Sequence, residues 1–476
     1  MLQRAALAVL FMAALLAGCL GNNNPAASGA HAMTGATALV PGPALWDDPQ
    51  NTPHPKWHWP TLSHPAINGT VPTWWTPIAA KPLPAHIGGL THVSQAVGLD
   101  GKAIPAGAGI AIFGHIAVVP EDSKLAHFVD ISDPTHPVEV GQIESSGRGA
   151  AIIAYPDGRL VTAISTTPGF DVIEFTDPAN PVMLAQVTPT EHGHKLGVVP
   201  GTPILYNAGS RGGTTTPLYG PGPCNVDVTQ CVGYTSIYNL TDPANPVLVQ
   251  EFHNGLSCHH IFFWNAPDGS KQRAICAGLQ YTQLWDTADP EHPKVIVSVP
   301  VHSGEANTPS AMLSIAAFSH TAGLNMDGTI LYVGDENMGG GAPPGCLVGT
   351  ETPAGEAGTP IGATWFYDVS NEKSPRLLGY YAPPRDATHS VSRSCTTHHG
   401  RLVPDPEGRD LLAMSYYNDG VILLDFTPSG PEGAKVVVPK SIGEYHDAAD
   451  TWETWYDNGY LFTGDLARGL DVIGFS

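Results

Sequence analysis

The sequence predicts an all-β chain, a seven-bladed β-propeller of four-stranded antiparallel blades, preceded by a signal peptide and an irregular tether. Two recurring patterns predict it. The first is a run of β-branched and aromatic residues, an Asp-Pro turn and a second apolar run. It reads FVDISDPTHPVEV (128–140), VIEFTDPANPVML (172–184), SIYNLTDPANPVLV (236–249), QLWDTADPEHPKVIV (283–297), FYDVSNEKSPRLLGY (366–380) and VILLDFTPSGPEGAKVVV (421–438), with a truncated copy, GLDVIGFS (469–476). The second is a hairpin with a glycine turn between those phrases: AIIAYPDGRLVTAIS (151–165), LGVVPGTPILYNAG (196–209), IFFWNAPDGSKQRAICAG (261–278), GLNMDGTILYVGDEN (323–337), RLVPDPEGRDLLAMSYY (401–417) and WYDNGYLFTGD (455–465). Composition agrees, since 45 prolines and 53 glycines in 476 residues favour many short strands with tight turns.

In the first pattern, two prolines three residues apart fix φ twice and withhold amides from any ladder, so this piece is expected to leave the sheet as a strand exit. In the second, Asp-Gly and Asn-Gly between apolar runs signal a tight hairpin. Hairpin plus exit strand makes at least three strands per unit. A spacing of roughly 45 to 80 residues suits four-stranded blades with loop insertions better than a solenoid. Seven exit strands imply seven blades, which a sandwich or open sheet would not explain. The last copy stops at a blade edge, so the closing strand is expected from Gly89 to Val97 or from Ala111 to Pro120.

Three regions follow along the chain. Residues 1–18 hold one Arg and an apolar run ending in Leu-Ala-Gly before Cys19, which reads as an export signal. LAGC resembles a lipoprotein lipobox, which implies Cys19 as the lipid anchor; an uncleaved membrane anchor or an ordinary signal peptide is the alternative. The chain is expected outside the cytoplasm, at the cell surface or in the periplasm, touching membrane only through that anchor. Residues 19–85 form a tether whose Trp57-His58-Trp59 and Trp74-Trp75 are expected to pack somewhere, a flexible stalk being the alternative. Residues 86–476 are the propeller.

The exit strands with their D-[IV]-S-D-P turns resemble the LVIVD-repeat proteins, exported or surface-attached β-propellers, across about residues 86 to 476. The stretch FYDVSNEKSPRLLGYY is also similar to one in the selenium-binding, methanethiol oxidase-like propellers, which carry histidine-rich phrases and a metal. That family's paired cysteines have no match here.

Beyond Cys19, Cys224, Cys231, Cys258, Cys276, Cys346 and Cys395 make an even count that suits disulfides in an exported chain. The nearest pairs in sequence are 224 with 231, 258 with 276 and 346 with 395; the second would bridge two strands joined at Pro267-Asp268-Gly269. A net charge of −22 argues against nucleic-acid binding. Of two glycosylation sequons, Asn68 lies in the tether and Asn239 in an exit strand, where it is expected to be shielded.

Histidine recurs at a similar distance before the hairpins: His192 and His194, His259 and His260, His320, His398 and His399, and His446. These positions fall where innermost strands begin, so five consecutive blades are expected to aim an imidazole at one end of the central channel. Such a ring suits Cu, Zn or Fe, with Glu191, Asp335, Glu336 and Asp447 orienting the ligands. No H-E-x-x-H or C-x-x-C supports a standard motif, and the alternative is that the histidines bond to backbone or acids of neighbouring blades. Arg211 and Arg468 would hold an anionic ligand there or bridge blades. Glu336 and Asp419 are also acid/base or metal-ligand candidates, or turn formers at strand ends. Asp133, Asp177, Asp242 and Asp289 repeat because their turn repeats and are given no catalytic role.

Two functions follow. One is a lipid-anchored platform that binds a protein or small molecule at the channel mouth, shaped by insertions at 214–231, 302–309 and 339–360. The other is a metal-dependent oxidase or hydrolase.

Overall fold

The computed structural model describes residues 78–476 apart from 80, 105–106, 122–123, 167–168, 189–192, 210–233, 255–257, 279–280, 301–317, 337–361, 384–395 and 447–449. The described residues form seven four-stranded antiparallel sheets and no helix. The first strand in the chain is β1 (Leu90–Gln95). Blade 1 holds β2 (Ala111–Phe113), β3 (Ile116–Pro120), β4 (Leu125–Asp130) and β5 (Val138–Glu144). Blade 2 holds β6 (Ala150–Ala154), β7 (Leu160–Ser165), β8 (Phe170–Glu174) and β9 (Val182–Val187). Blade 3 holds β10 (Gly193–Val198), β11 (Ile204–Gly209), β12 (Thr235–Asn239) and β13 (Val247–Phe252). Blade 4 holds β14 (His260–Asn265), β15 (Gln272–Gly278), β16 (Tyr281–Asp286) and β17 (Lys294–Pro300). Blade 5 holds β18 (Phe318–Leu324), β19 (Ile330–Glu336), β20 (Thr364–Asp368) and β21 (Arg376–Tyr381). Blade 6 holds β22 (Gly400–Val403), β23 (Leu411–Ser415), β24 (Val421–Asp425) and β25 (Lys440–Tyr445). Blade 7 holds β26 (Thr451–Asp457), β27 (Tyr460–Asp465) and β28 (Gly469–Phe475), and takes β1 as its fourth strand.

The ring therefore closes through β1, which pairs antiparallel with β28 from Leu90 opposite Phe475 to Gln95 opposite Asp471. Of the two segments expected to close it, the first does so. Ala111 to Pro120 instead makes the inner hairpin of blade 1. Ile78 and Ile87 are buried in the clusters of the last blade, and the Lys81 amide donates to the Asn458 carbonyl at 2.9 Å.

The Asp-Pro turn leaves the ladder as expected, but the phrase around it is not an exit from the sheet. Its first run is the third strand of a blade, and in blades 1 to 5 its second run returns beside it as the fourth; only the Asp-Pro turn is outside the ladder. The reason is the aspartate. Each exit carboxylate accepts the amide two residues on, at 2.9 Å for Asp133 to Thr135, 3.2 Å for Asp177 to Ala179, and 3.1 Å for Asp242 to Ala244 and Asp289 to Glu291. That folds the prolines into a compact reversal. In blade 6 the run Val436-Val437-Val438 makes no strand: Ser429 bridges Val436, the Val437 amide bonds Leu378 of the previous blade, and β25 begins only at Lys440.

Third strands are buried along almost their whole length, because neighbouring blades pack on both of their faces. The core is laid between blades: Trp264 and Leu284 of blade 4 meet Val333 and Trp365 of blade 5, and Tyr332 and Phe366 meet Leu412 and Phe426 of blade 6. Each such buried side chain is worth about 1.5–3 kcal/mol. Cys258 and Cys276 form a disulfide with Cα atoms 5.3 Å apart, tying the start of the blade 4 hairpin to its second strand as the sequence suggested. Cys19, Cys224, Cys231, Cys346 and Cys395 lie outside the described residues. The Asn239 amide donates to Glu291 at 2.8 Å, so that sequon is engaged in packing.

Candidate metal centre

The site is built by what happens where innermost strands open. In β10, β18 and β26 the register slips between Gly193 and Lys195, between Ser319 and Thr321, and between Thr451 and Glu453. His194, His320 and Trp452 are thus the inserted residues of three equivalent bulges, a device that re-aims a side chain. The other blades match them by hydrogen bonding. His398 N–H donates to the Ser415 carbonyl while Ser415 N–H donates to the His399 carbonyl, and Ser165 N–H donates likewise to Gly149. His259 N–H donates to Ala277, the residue opposite His260. Blades 2 to 7 therefore present six equivalent pairs: Arg148-Gly149, His194-Lys195, His259-His260, His320-Thr321, His398-His399 and Trp452-Glu453.

The first members close a ring around the channel axis. Ring centroids lie 4.1 Å apart for His194 and His259, 4.4 Å for His259 and His320, 4.0 Å for His320 and His398, 4.4 Å for His398 and Trp452, and 6.2 Å for Trp452 and His194. The widest spacing, a T-shaped contact, joins blade 7 to blade 3 on the side of blades 1 and 2. The second members make a layer beneath. His260 packs on His399 at 4.1 Å and its Nδ1 meets the Thr321 hydroxyl at 3.2 Å. Lys195 reaches across the channel to Glu453, Nζ to Oε2 2.5 Å, with its ammonium 4.9 Å from the centre of the Trp452 ring. Glu453 also accepts the Ile110 amide of blade 1 at 3.1 Å. Gly149 leaves room for this crossing, since a Cβ there would stand 2.8 Å from Lys195 Cδ.

Donor nitrogens of His194, His259 and His320 all lie within 4.8 Å of one another, as do those of His320, His398 and His399. Nε2 of His194 and both ring nitrogens of His399 are buried with no hydrogen-bond partner among the described residues. Leaving such atoms dry costs about 1–3 kcal/mol each, which a bound cation would offset. Burial also keeps the imidazoles neutral and so able to donate a lone pair. It drives His259 down to about 3 and His194, His260, His320, His398 and His399 well below the usual histidine range, with neighbouring charges adding to the effect. An all-imidazole donor set fits Cu, Zn or Fe.

Glu336, the last residue of β19, stands 3.4 Å from His320 Nε2. Burial pushes its carboxyl up to about 7, partly offset by the hydroxyl of Tyr417, which donates to it. Tyr417 holds a left-handed backbone, φ 48°, rare for a bulky residue, while its ring lies 4.8 Å from that of His398. His398 Nδ1 bonds the Trp452 carbonyl, which sets that ring's orientation. Asp335 accepts the Trp365 indole N–H at 2.6 Å, and its carbonyl accepts the hydroxyls of Thr396 and Thr397, so it positions the segment ahead of His398.

Six expected histidines, His194, His259, His260, His320, His398 and His399, are brought together from four consecutive blades. His446 is not among them. It follows the outermost strand β25, where its Nδ1 bonds the Asp419 carbonyl at 2.7 Å and its Nε2 bonds Glu444 at 2.9 Å, and that carboxylate raises its pKa. The ring position in blade 7 belongs to Trp452. Asp419 is buried in the turn after Tyr417, beside His446 at 3.6 Å. Arg468 is clamped to Asp471 at 2.6 and 3.0 Å, within its own strand turn. Glu191, His192, Arg211 and Asp447 lie outside the described residues. Sequence reasoning missed Arg148, Lys195, Tyr417, Trp452 and Glu453. For Arg148 and Trp452 the signal was position ahead of the hairpin, whatever the residue type.

No family model and no curated protein matches the chain. Among solved structures it is similar to the WD40 β-propeller domain of Doa1 (TM-score 0.47, 9% identity, 81% of this chain and 97% of that one). It is also similar to Sqt1 of Saccharomyces cerevisiae (0.45, 12%, 75% and 80%) and to the β-propeller domain of Cps50 (Swd1) from Myceliophteria thermophila (0.44, 10%, 78% and 96%).

Proposed function

We propose that this chain is an exported, lipid-anchored propeller of the LVIVD-repeat kind whose channel end holds a transition metal and works as a metal-dependent enzyme of the oxidase or hydrolase class. One observation carries the reading: two histidine triads sharing His320 converge in a buried site, with ring nitrogens of His194 and His399 lacking a hydrogen-bond partner among the described residues. A bound ion of this type supplies Lewis acidity or, for copper and iron, one-electron chemistry. The chain's own residues would do the rest. Glu336, titrating near neutrality beside His320, is placed to take or give a proton, and Tyr417 holds it in position. Lys195 and Glu453 close the channel beneath the ring, and Trp452 walls one side.

Elemental analysis of the purified full-length chain tests this. A stoichiometric transition metal, lost when His260, His320 and His399 are replaced by Ala, is the expected result. A folded chain that contains none and takes up neither Cu, Zn nor Fe would overturn it. A second reading, a platform for a protein or small-molecule ligand, is supported by the connections 210–233, 301–317 and 337–361, which all join strand ends lying at the histidine end.

A further inference from the structure

We propose that Tyr417 and Glu336 form a proton-coupled redox pair, in which the phenol gives up one electron while its proton passes to the carboxylate. This rests on the metal reading above and narrows it to the oxidase class, because hydrolysis moves no electrons. Tyr417 is buried against Ala108 and Trp452, with its ring 4.8 Å from that of His398. Its backbone is fixed as well, since the Tyr417 carbonyl accepts the amides of Gly420 at 2.9 Å and of Thr451, the residue before Trp452, at 3.0 Å. Its φ of 48° is one of two positive values outside glycine among the described residues, and the other belongs to Asn458, a type that tolerates it. For a bulky residue this conformation costs about 1–3 kcal/mol. A tyrosine held there against that strain is held for its side chain.

Filling that space needs no hydroxyl, so the informative contact is the one that phenylalanine would lack. Buried Tyr155 and Tyr206 donate to the backbone carbonyls of Leu240 and Pro290, neutral acceptors that take up no proton. Tyr417 donates to a carboxylate, which does. Oxidation of a buried phenol without such a base leaves a cation in a low-dielectric interior, a state that burial penalises heavily. With Glu336 as acceptor the step balances: the Tyr417 O–H bond breaks, the electron goes to an oxidised copper or iron ion in the triads, the proton goes to Glu336, and a neutral phenoxyl radical remains. Both partners touch the centre. Glu336 stands 3.4 Å from His320 Nε2 and the Tyr417 ring meets His398, each a member of the triad His320, His398 and His399. The pair thus supplies the site with one electron beyond those of the ion itself.

The test treats the full-length chain, loaded with redox-silent Zn(II), with the one-electron oxidant hexachloroiridate(IV) and follows the tyrosyl radical by electron paramagnetic resonance. Wild type is expected to form a long-lived radical that is lost in Tyr417→Phe, which keeps the ring and its packing. Glu336→Gln keeps an acceptor but not a base and is expected to slow formation of the radical about a hundredfold or more. Tyr380→Phe, at an exposed position, is the control and is expected to leave the signal as in wild type. No long-lived radical in wild type, the same radical in Tyr417→Phe, or one formed as fast in Glu336→Gln would overturn the proposal while leaving the metal reading intact. Zinc content is measured on the same samples, and a folded chain that binds none would sink the metal reading and remove the electron acceptor named here.

Discussion

The two ends of each blade obey different rules. At the exit turns the residues repeat, and so do their contacts: Asp177 and Asp242, in the two TDPANPV copies, each accept an amide two residues on and an asparagine side chain three residues on at 2.9 Å. At the opposite end the backbone repeats, with equivalent bulges at His194, His320 and Trp452, but the side chains differ from blade to blade. Repetition of residues at equivalent positions reports a shared local structure. Variation on a repeated backbone, converging on one axis, reports a site.

The largest expected break of this contrast is at Lys195, which ties blade 3 to blade 7 from within the channel. Lys195→Met leaves Glu453 charged and buried, and should cost about 3–5 kcal/mol in chemical denaturation. Adding Glu453→Gln should recover most of that loss. If the single and double variants are equally destabilised, the pair is not the strut its geometry indicates.

Much of the fold was legible in sequence because its signals are local. Asp-Gly hairpins, Asp-Pro turns and β-branched runs each act within a few residues, and Leu90 to Gln95, a candidate for closing the ring, does close it. The Cys258–Cys276 disulfide was one of three nearest-neighbour pairings that the spacing left open, and it closes a local hairpin. The site was legible only where residue type repeated. Arg148 and Trp452 occupy the histidine position without being histidine, and the Lys195–Glu453 pair joins residues 258 positions apart across the axis. His446 fits the spacing but not the bulge, and a bulge leaves no mark in the residue pattern.

Acid should separate the two ends next. The folded pKa of each ring histidine lies below its unfolded value of 6.5, so below that pH the unfolded chain binds more protons and the folded state loses stability. The loss continues as pH falls toward about 3, the folded value of His259. Five buried or half-buried carboxyls, Glu336, Asp410, Asp450, Asp457 and Asp465, act oppositely, since burial raises their folded pKa values and each adds stability as pH falls, and His446, raised by Glu444, does the same, so the histidine contribution is read by difference. Between pH 6.5 and 4.5 the denaturation midpoint of the metal-free chain should fall relative to that of a variant in which Gln replaces His398 and His399. Parallel pH profiles for the two would contradict buried neutral imidazoles.

The smallest effect belongs to the exit turns. Asp177→Ala removes the bonds to the Ala179 amide, at 3.2 Å, and to the Asn180 side chain, at 2.9 Å, both exposed, so water replaces them at a cost of about 0.5–1.5 kcal/mol. Asp242→Ala removes the same two bonds from the next blade and should cost the same within a few tenths, with the double variant additive because the turns share no partner. Neither should alter metal content, because their contacts stay within their own turn. A turn variant that lowered metal occupancy would mean that the exit end and the ring are mechanically coupled through the blade, and the division between a structural end and a chemical end would have to be abandoned.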